Sequence, residues 1–320
     1  MNDEKNDKVL KQRYVHIFFL DGVGLGSSDP AVNPFVMADL PFLSNLLGSP
    51  DWYLQGNGRI STDRATLIPT DANLDMPGRP QSATGQATIL TGRNVPQLVG
   101  EHYGPKPNPA VAQIIEQANL FQEVAAAGGE AALITPYPQG YFDAINSGKR
   151  LYSAVPLAVT SAGWPLFGAQ ELRAGEAVSP GFTGQGWYDM LGYKDIPILS
   201  LFESGQQIAA IASRYDLSFF EHWPSDRSGH RGPVEDAVAH LEMIDTAVGG
   251  LLEDWDDQGG MLIITSDHGN IEEKNHRQHT RNPVPTILVG TGHADLAQDI
   301  HNLADIAHVV RQILDLEEGN

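Results

Sequence analysis

Six acid and imidazole side chains are spaced along the chain in a pattern that suits divalent-metal chemistry. They are Asp21, then Asp226 and His230 four residues apart, then the adjacent pair Asp267-His268, and finally His279. Carboxylate and imidazole together, with no sulfur, suit Zn²⁺, Mn²⁺ or a similar ion. Six such groups exceed the three or four protein ligands of a single ion. Two ions a few ångströms apart is the economical reading, and such a pair suits in-line displacement at phosphorus. Taken singly, each residue has a plainer explanation. An Asp after a strand is commonly a turn residue or helix cap, Asp267-His268-Gly269 can be a turn, and Asp226 and His230 can be surface neighbours on a helix. The conjunction of all three placements argues against the plain reading.

Displacement at phosphorus also calls for a nucleophile. In RPQSATGQATILTGRN, Ser82 follows a Pro-rich loop and stands where a helix would begin. A hydroxyl there can be activated by metal, and a helix N-terminus offers backbone N–H donors to a phosphoryl group. Arg93, further along, is a candidate for bidentate contact with phosphate oxygens. The residues alone leave Ser82 equally readable as an ordinary N-cap.

The elements that must position these groups are legible from pattern. Tyr14 to Leu20 (YVHIFFL) reads as a buried strand ending at Asp21-Gly22. Leu217 to His222 (LSFFEH) reads as a strand leading to Asp226 and His230, and Gly260 to Thr265 (GMLIIT) as one leading to Asp267-His268. Val284 to Gly290 is a further strand, with His279 just before it. Ligands of α/β sheets bind outside the carboxyl ends of strands, so three strands deliver acids and imidazoles to one edge. Residues 24–35 and 61–81 read as loops. A helix starts near Ser82 or Thr84. Residues 109–128 have helical spacing with Pro at the start and Gly at the end, and Ala131 to Thr135 is strand-like. Gly205 to Ser213, Gly232 to Glu253 and Leu303 to Leu316 read as helices. Residues 136–206 resist division. The alternation predicts an α/β sandwich around a mostly parallel sheet.

Composition removes other classes. The 320 residues include no cysteine, which excludes a disulfide scaffold, a thiolate metal site and a cysteine nucleophile. Twenty bases against 40 acids leave a formal charge of −20, which argues against binding nucleic acid polymers or anionic membranes. No run approaches the ~18 apolar residues of a membrane span. The polar stretch over 1–13 lacks a signal-peptide core, so a cytoplasmic location is expected.

The set resembles the alkaline phosphatase superfamily, in particular its branch with cofactor-independent phosphoglycerate mutase and phosphopentomutase. That superfamily shares one order: Asp after the first strand, a Ser or Thr opening a helix, Asp-x-x-x-His, Asp-His, then a distal His. TSDHGNIEE and HTRNPVP are similar to the stretches around the last metal ligands of the mutases. LDMPGRPQSATGQ resembles the loop before their nucleophile, usually Ser-Glu-Val-Gly-His, and the spacing from Ser82 to Thr91-Gly92 matches the Leu-Thr-Gly ending of sulfatases and nucleotide phosphodiesterases. The resemblance therefore selects Ser82 over Thr84 or Thr88. It is strong over about 14–35, 70–95 and 217–290, and weak between 105 and 215.

The resemblance implies an alkaline-phosphatase-like three-layer sandwich with helices on both faces of the sheet. It implies two divalent ions, Zn or Mn with Mg as a further option. Asp21, Ser82, Asp267 and His268 would hold one; Asp226, His230 and His279 the other, with His276 as the alternative to His279. Two departures matter. Gln86 stands where the mutases usually have His, and the stretch left for a cap, about 136–205, is smaller than theirs. The chain is therefore expected to be a single catalytic domain over 1–320, with 136–205 as a small lid or substrate-recognition insertion. Tyr137 and Tyr141 are candidates to stack on a ring or sugar, and Lys149 and Arg150 to pair with a second anionic group; the alternative is an ordinary surface turn. Asp245 reads as structural. The expected activity is hydrolysis of a small phosphate ester through a phosphoserine at Ser82. The alternatives are a phosphomutase acting on a sugar phosphate or phosphoglycerate, and a metal-binding relative without turnover.

Overall fold

The structure is a computed structural model that describes residues 13–318; the expected polar lead-in over 1–13 lies outside them, apart from Arg13. Seven strands form one sheet: β1 (Tyr14–Leu20), β2 (Ile60–Ser61), β3 (Ala65–Thr70), β4 (Ala131–Leu133), β5 (Leu217–His222), β6 (Gly260–Thr265) and β7 (Val284–Val289). Their spatial order is β2-β3-β7-β6-β1-β5-β4. The neighbours β6-β1-β5-β4 run parallel, and β7, β3 and β2 add antiparallel pairings at one side.

β1 is apolar on both faces because both faces are covered, as a central parallel strand requires. Val15, Ile17 and Phe19 enter one core and Tyr14, Phe18 and Leu20 the other. The first core is closed by the helices Ser82–Thr91, Pro109–Gln117, Leu120–Ala126, Ala154–Ser161 and Leu303–Leu314. The second is closed by Pro41–Leu47, Leu201–Ala212 and Val234–Glu253. This is a three-layer sandwich. Phe18, Phe19, Phe219 and Phe220 are fully buried at its centre, and burying each contributes roughly 1.5–3 kcal/mol.

Three expectations change. Residues 61–81 are not all loop, because 65–70 is the buried strand β3. Its Pro69 lies opposite Pro285, where neither β2 nor β6 continues the ladder, so neither proline withholds a needed donor. The helix read over 109–128 is two helices. Asn119 interrupts it, its side chain accepting from the N–H groups of Phe121 and Gln122 as an N-cap. Neither Ser82 nor Thr84 is the N-cap of the helix Ser82–Thr91; Gln81 holds that position without a side-chain bond.

The stretch 136–205 packs in three places, and its Val178 and Phe182 are buried in the second core. Its helix Ala154–Ser161 buries Ala154, Val155, Ala158 and Val159 in the first core. Helices Ala169–Ala174 and Gln185–Asp189 enclose a small separate cluster of Leu172, Ala177, Trp187 and Ile196.

Candidate metal centre

The parallel register places the carboxyl ends of β1, β5 and β6 side by side, with Leu20 opposite His222 and Phe19 opposite Thr265. Asp21 leaves β1 there and Asp267-His268 leave β6. β7 runs the other way, so the segment entering it brings His279 to the same edge. After β5 the chain turns directly into the helix Pro224–His230, with Pro at its first position. One turn of that helix puts Asp226 and His230 on one face. Gly22 has φ +71°, and a Cβ there would lie 2.8 Å from Asp226 Oδ1; glycine lets the two loops close on each other.

Asp226 Oδ1, His230 Nε2 and His279 Nε2 form a triangle. Its sides are 3.3 Å from Asp226 to His230, 3.6 Å from Asp226 to His279 and 3.2 Å between the imidazoles. A tetrahedral ion with bonds of about 2.0–2.1 Å separates its ligand atoms by roughly 3.3 Å. Around His268 Nε2 lie Ser82 Oγ at 3.1 Å, Asp21 Oδ1 at 3.5 Å and Asp267 Oδ2 at 3.7 Å. His268 also stacks on His279, ring centroids 3.6 Å apart, and comes within ligand distance of Asp226. It stands between the two groups.

The imidazoles are oriented from behind. His279 Nδ1 faces the Pro80 carbonyl at 2.8 Å, and His230 Nδ1 faces the Arg277 carbonyl at 2.9 Å. A hydrogen on each Nδ1 leaves each Nε2 lone pair directed at the cluster. Burial holds His268 and His279 down to about 4, the latter helped by His268, so both are neutral at pH 7. Burial and then Asp267 and Asp226 push Asp21 well above the usual carboxylate range. Burial and then Asp226 push Asp267 up to about 7. For Asp226 burial works against ionisation, but the His230 hydrogen bond and the neighbouring imidazoles prevail and bring it down to about 2. The Asp226 bond in turn raises His230.

Asp21 Oδ1 is buried without a hydrogen-bond partner. Adjacent buried carboxylates, neutral imidazoles and an orphaned oxygen are a donor set that fits divalent cations.

The first turn of the helix Ser82–Thr91 faces this cluster. Because Ser82 is inside the helix and does not cap it, its Oγ is directed to His268. Gly85 packs on Asp267, where a Cβ would lie 3.0 Å from the Asp267 Cβ and carbonyl oxygen. Gln86 Nε2 donates to Asp267 Oδ2 at 3.1 Å. Thr84 is engaged elsewhere, bonded to the Gln81 and Tyr103 backbone.

Several expected residues stand apart. Arg93 lies beyond the far end of the helix, which rises about 1.5 Å per residue. There it lines a groove with Thr91, His308 and Arg311, away from Ser82. His276 bonds Glu273 at 3.0 Å, outside the triangle. Tyr137 and Tyr141 are buried and stacked on each other at 4.3 Å. The Arg150 guanidinium lies over Tyr141 at 4.9 Å. These rings are packed into the protein rather than open to a substrate ring. Lys149 and Arg150 are exposed beyond the helix Gln139–Asn146. Asp245 accepts the N–H groups of Phe42 and Leu43, a structural role.

Sequence reasoning missed Glu221, Asn270, Glu272 and Lys274. Glu221, next to last in β5, is buried, accepts from Tyr137 Oη at 2.9 Å, and is pushed up to about 7, chiefly by burial. Asn270 Nδ2 donates to Asp226 Oδ1 at 2.6 Å. The only signal for the last three was a run of polar residues directly after Asp267-His268.

Residues 203–318 match the family described as Metalloenzyme superfamily. The matched stretch contains Asp226, His230, Asp267, His268 and His279. It is thus the C-terminal part of the chain that is similar to the Metalloenzyme superfamily, and the fold is alkaline-phosphatase-like.

Among curated proteins, a 2,3-bisphosphoglycerate-independent phosphoglycerate mutase from Thiobacillus denitrificans is 39% identical over 119 residues, covering 34% of this chain and 23% of the mutase. The corresponding mutase from Cereibacter sphaeroides is 35% identical over 122 residues, covering 36% and 24%. The matches therefore span about a quarter of the length of these relatives. Among solved structures, the PH0037 protein from Pyrococcus horikoshii superposes with a TM-score of 0.54 at 14% identity, covering 96% of this chain and 98% of that one. Alkaline phosphatase from the Antarctic bacterium TAB5 superposes with a TM-score of 0.50 at 12% identity, covering 96% and 99%. These two likenesses concern the fold.

Proposed function

We propose that this protein is a two-metal phosphoryl-transfer enzyme that hydrolyses a small phosphate ester through a phosphoserine at Ser82. The observation that carries the reading is the position of Ser82 Oγ, 3.1 Å from His268 Nε2 at the meeting point of the two donor groups. Asp21, Ser82, Asp267 and His268 would hold one ion, and Asp226, His230 and His279 the other. Two divalent ions, Zn²⁺ or Mn²⁺ in preference to Mg²⁺, would acidify the serine hydroxyl and offset charge on the transferring group.

The chain's own part is positional. Ser82 Oγ attacks phosphorus, the bond to the leaving oxygen breaks, and the phosphoryl group rests on Ser82. The Thr84 N–H is taken by the Tyr103 carbonyl, which leaves the N–H groups of Ser82 and Ala83 in the first turn to face the transferring oxygens. Water then attacks the phosphoserine and releases inorganic phosphate. Gln86 keeps Asp267 oriented throughout. Lys149 and Arg150 are the candidate contacts for a second anionic group on the substrate. Residues 183–200, which bury no side chain in either main core, are the part of the 136–205 stretch best suited to act as a lid.

A phosphomutase is the second reading, favoured by the identity shared with the mutases over about a third of the chain. It requires a hydroxyl of the retained substrate to attack in place of water, and a closed site that excludes water. The smaller insertion places hydrolysis first.

Acid-quenched turnover mixtures, digested and analysed by mass spectrometry, test the intermediate: the peptide containing Ser82 should carry phosphate, and phosphate on Thr84 would move the nucleophile. ³¹P spectra recorded with sugar phosphates and phosphoglycerates separate the two reactions. Free phosphate is expected; isomer interconversion without it would establish the mutase.

A further inference from the structure

Glu272 is completely buried yet carries a carboxylate; it sits in the β6–β7 connection between His268 and His279 and is itself no ligand in the triangle around Asp226 or the group around His268. Its oxygens are fully used. Oε2 accepts the backbone N–H of Gly24 at 3.0 Å and of Asn270 at 2.7 Å. Oε1 accepts the Thr280 hydroxyl at 2.5 Å and Asn282 Nδ2 at 3.1 Å. A carboxylate has about four acceptor positions, and here each has a donor.

Those donors come from three different ligand-bearing segments. Gly24 is in the loop that follows Asp21. Asn270 follows His268, and its side chain holds Asp226. Thr280 follows His279, with Asn282 two residues on. The backbone is shaped around this one side chain. A Cβ on Gly24 would lie 2.3 Å from Glu272 Oε1, and one on Gly269 would lie 2.2 Å from it.

Lys274, two residues later, works on a narrower target. Its Nζ donates to the carbonyls of Ser228, Gly229 and Arg231, at the C-terminal end of the helix bearing Asp226 and His230.

We propose that Glu272 is a positioning residue that holds both candidate metal-ligand groups in register, by tying the loops of Asp21, His268 and His279 to one buried carboxylate. This rests on the two-metal reading. Changing Glu272 loosens both ion sites together, whereas changing Lys274 loosens the Asp226–His230 side alone. Glutamine at 272 must turn its NH₂ toward two of the four donors, so it loses half of the clamp while keeping its size.

The test is a Mn²⁺ titration of folded protein, followed by EPR, of the unaltered chain, Glu272→Gln, Thr280→Val and Lys274→Met. The EPR signal distinguishes isolated from magnetically coupled ions. Partners behind metal ligands typically shift affinity by roughly 10–100-fold. The unaltered chain should bind two ions with a coupled spectrum. Glu272→Gln should weaken both steps about 10-fold or more and reduce the coupling; Thr280→Val should do so to a smaller degree. Lys274→Met should weaken one step only. Unchanged stepwise affinities and coupling in a folded Glu272→Gln would overturn the inference with the two-metal reading intact. Should Glu272→Gln not fold, Thr280→Val decides: weakening of both steps supports the clamp, and unchanged binding overturns it. Absence of Mn²⁺ binding by the unaltered chain would instead sink the two-metal reading, and the inference with it.

Discussion

The two candidate ligand groups share an edge of the sheet but not an environment. Asp267 and His268 are 0% exposed and Ser82 is 7% exposed, whereas Asp226 and His230 reach the rim, with side chains 21% and 32% exposed. In the deep group, burial suppresses ionisation of Asp21 and Asp267. In the rim group, Asp226 and His230 already contact each other at 3.3 Å, a bond that lowers Asp226 and raises His230. A cation therefore relieves more in the deep group, where carboxylates repel each other, than at the rim, where it must replace an existing partner. Tighter and slower-exchanging metal is expected in the deep group, beside the nucleophile.

The largest effect expected is from Ser82→Ala. Turnover of a phosphomonoester should fall at least ~10³-fold, while metal analysis still finds close to two ions per chain. Full activity would move the nucleophile to another residue, with Thr84 next in line.

Removing a rim ligand separates the groups. His279→Ala should lower occupancy of the rim ion by more than the roughly 10–100-fold typical of a supporting partner, and should lower the deep ion less. His268→Ala should lower both, since that ring stands between them. Equal loss of both ions in His279→Ala would contradict the division.

Chelation sharpens the comparison in time. Loaded protein mixed with excess chelator should release metal in two phases of similar amplitude, the fast one from the rim. A single phase would mean that the groups exchange as a unit.

The smallest effect concerns a buried histidine outside both groups. His16 pairs with Ser218 at 2.8 Å and is held by burial down to about 3. It is neutral in the fold, while the unfolded chain takes up a proton below about 6.5. Its contribution is fully present above pH 6.5 and is lost as pH falls toward 3. By about 1.4 kcal/mol per pH unit, denaturation at pH 5 should show roughly 2 kcal/mol less stability than at pH 7 from this group. His16→Gln should flatten that slope. An unchanged slope would assign the pH dependence to other groups, the buried pair His222 and His240 among them.

Most of the frame was legible because periodicity reports burial. β1, β5 and β6 are continuous apolar runs, and the polar residues directly after them mark the functional edge. β3 was not legible, since Pro69 argues against a strand unless its partner in the ladder is known. The break at Asn119 was hidden by apolar spacing that continues through it. Asp21, Asp226, His230, Asp267, His268 and His279 could be picked out by type and spacing, Ser82 only through the family resemblance, and the fold brings the seven together. Arg93 could not be placed without knowing that the helix carries it to its far end. Glu272 was hidden because an acid in a polar loop normally reads as solvated; only the fold surrounds it with four donors. Tyr137 and Tyr141 looked available in a turn-rich stretch, yet packing turns their rings onto each other.

The most direct test is metal content of the purified chain measured together with turnover of phosphomonoesters, phosphodiesters and sulfate esters under Zn²⁺, Mn²⁺ and Mg²⁺. Two divalent ions per chain and metal-dependent release of inorganic phosphate from a monoester are expected. Fewer than one ion per chain, with no turnover under any of the three metals, would contradict a two-metal phosphoryl-transfer enzyme.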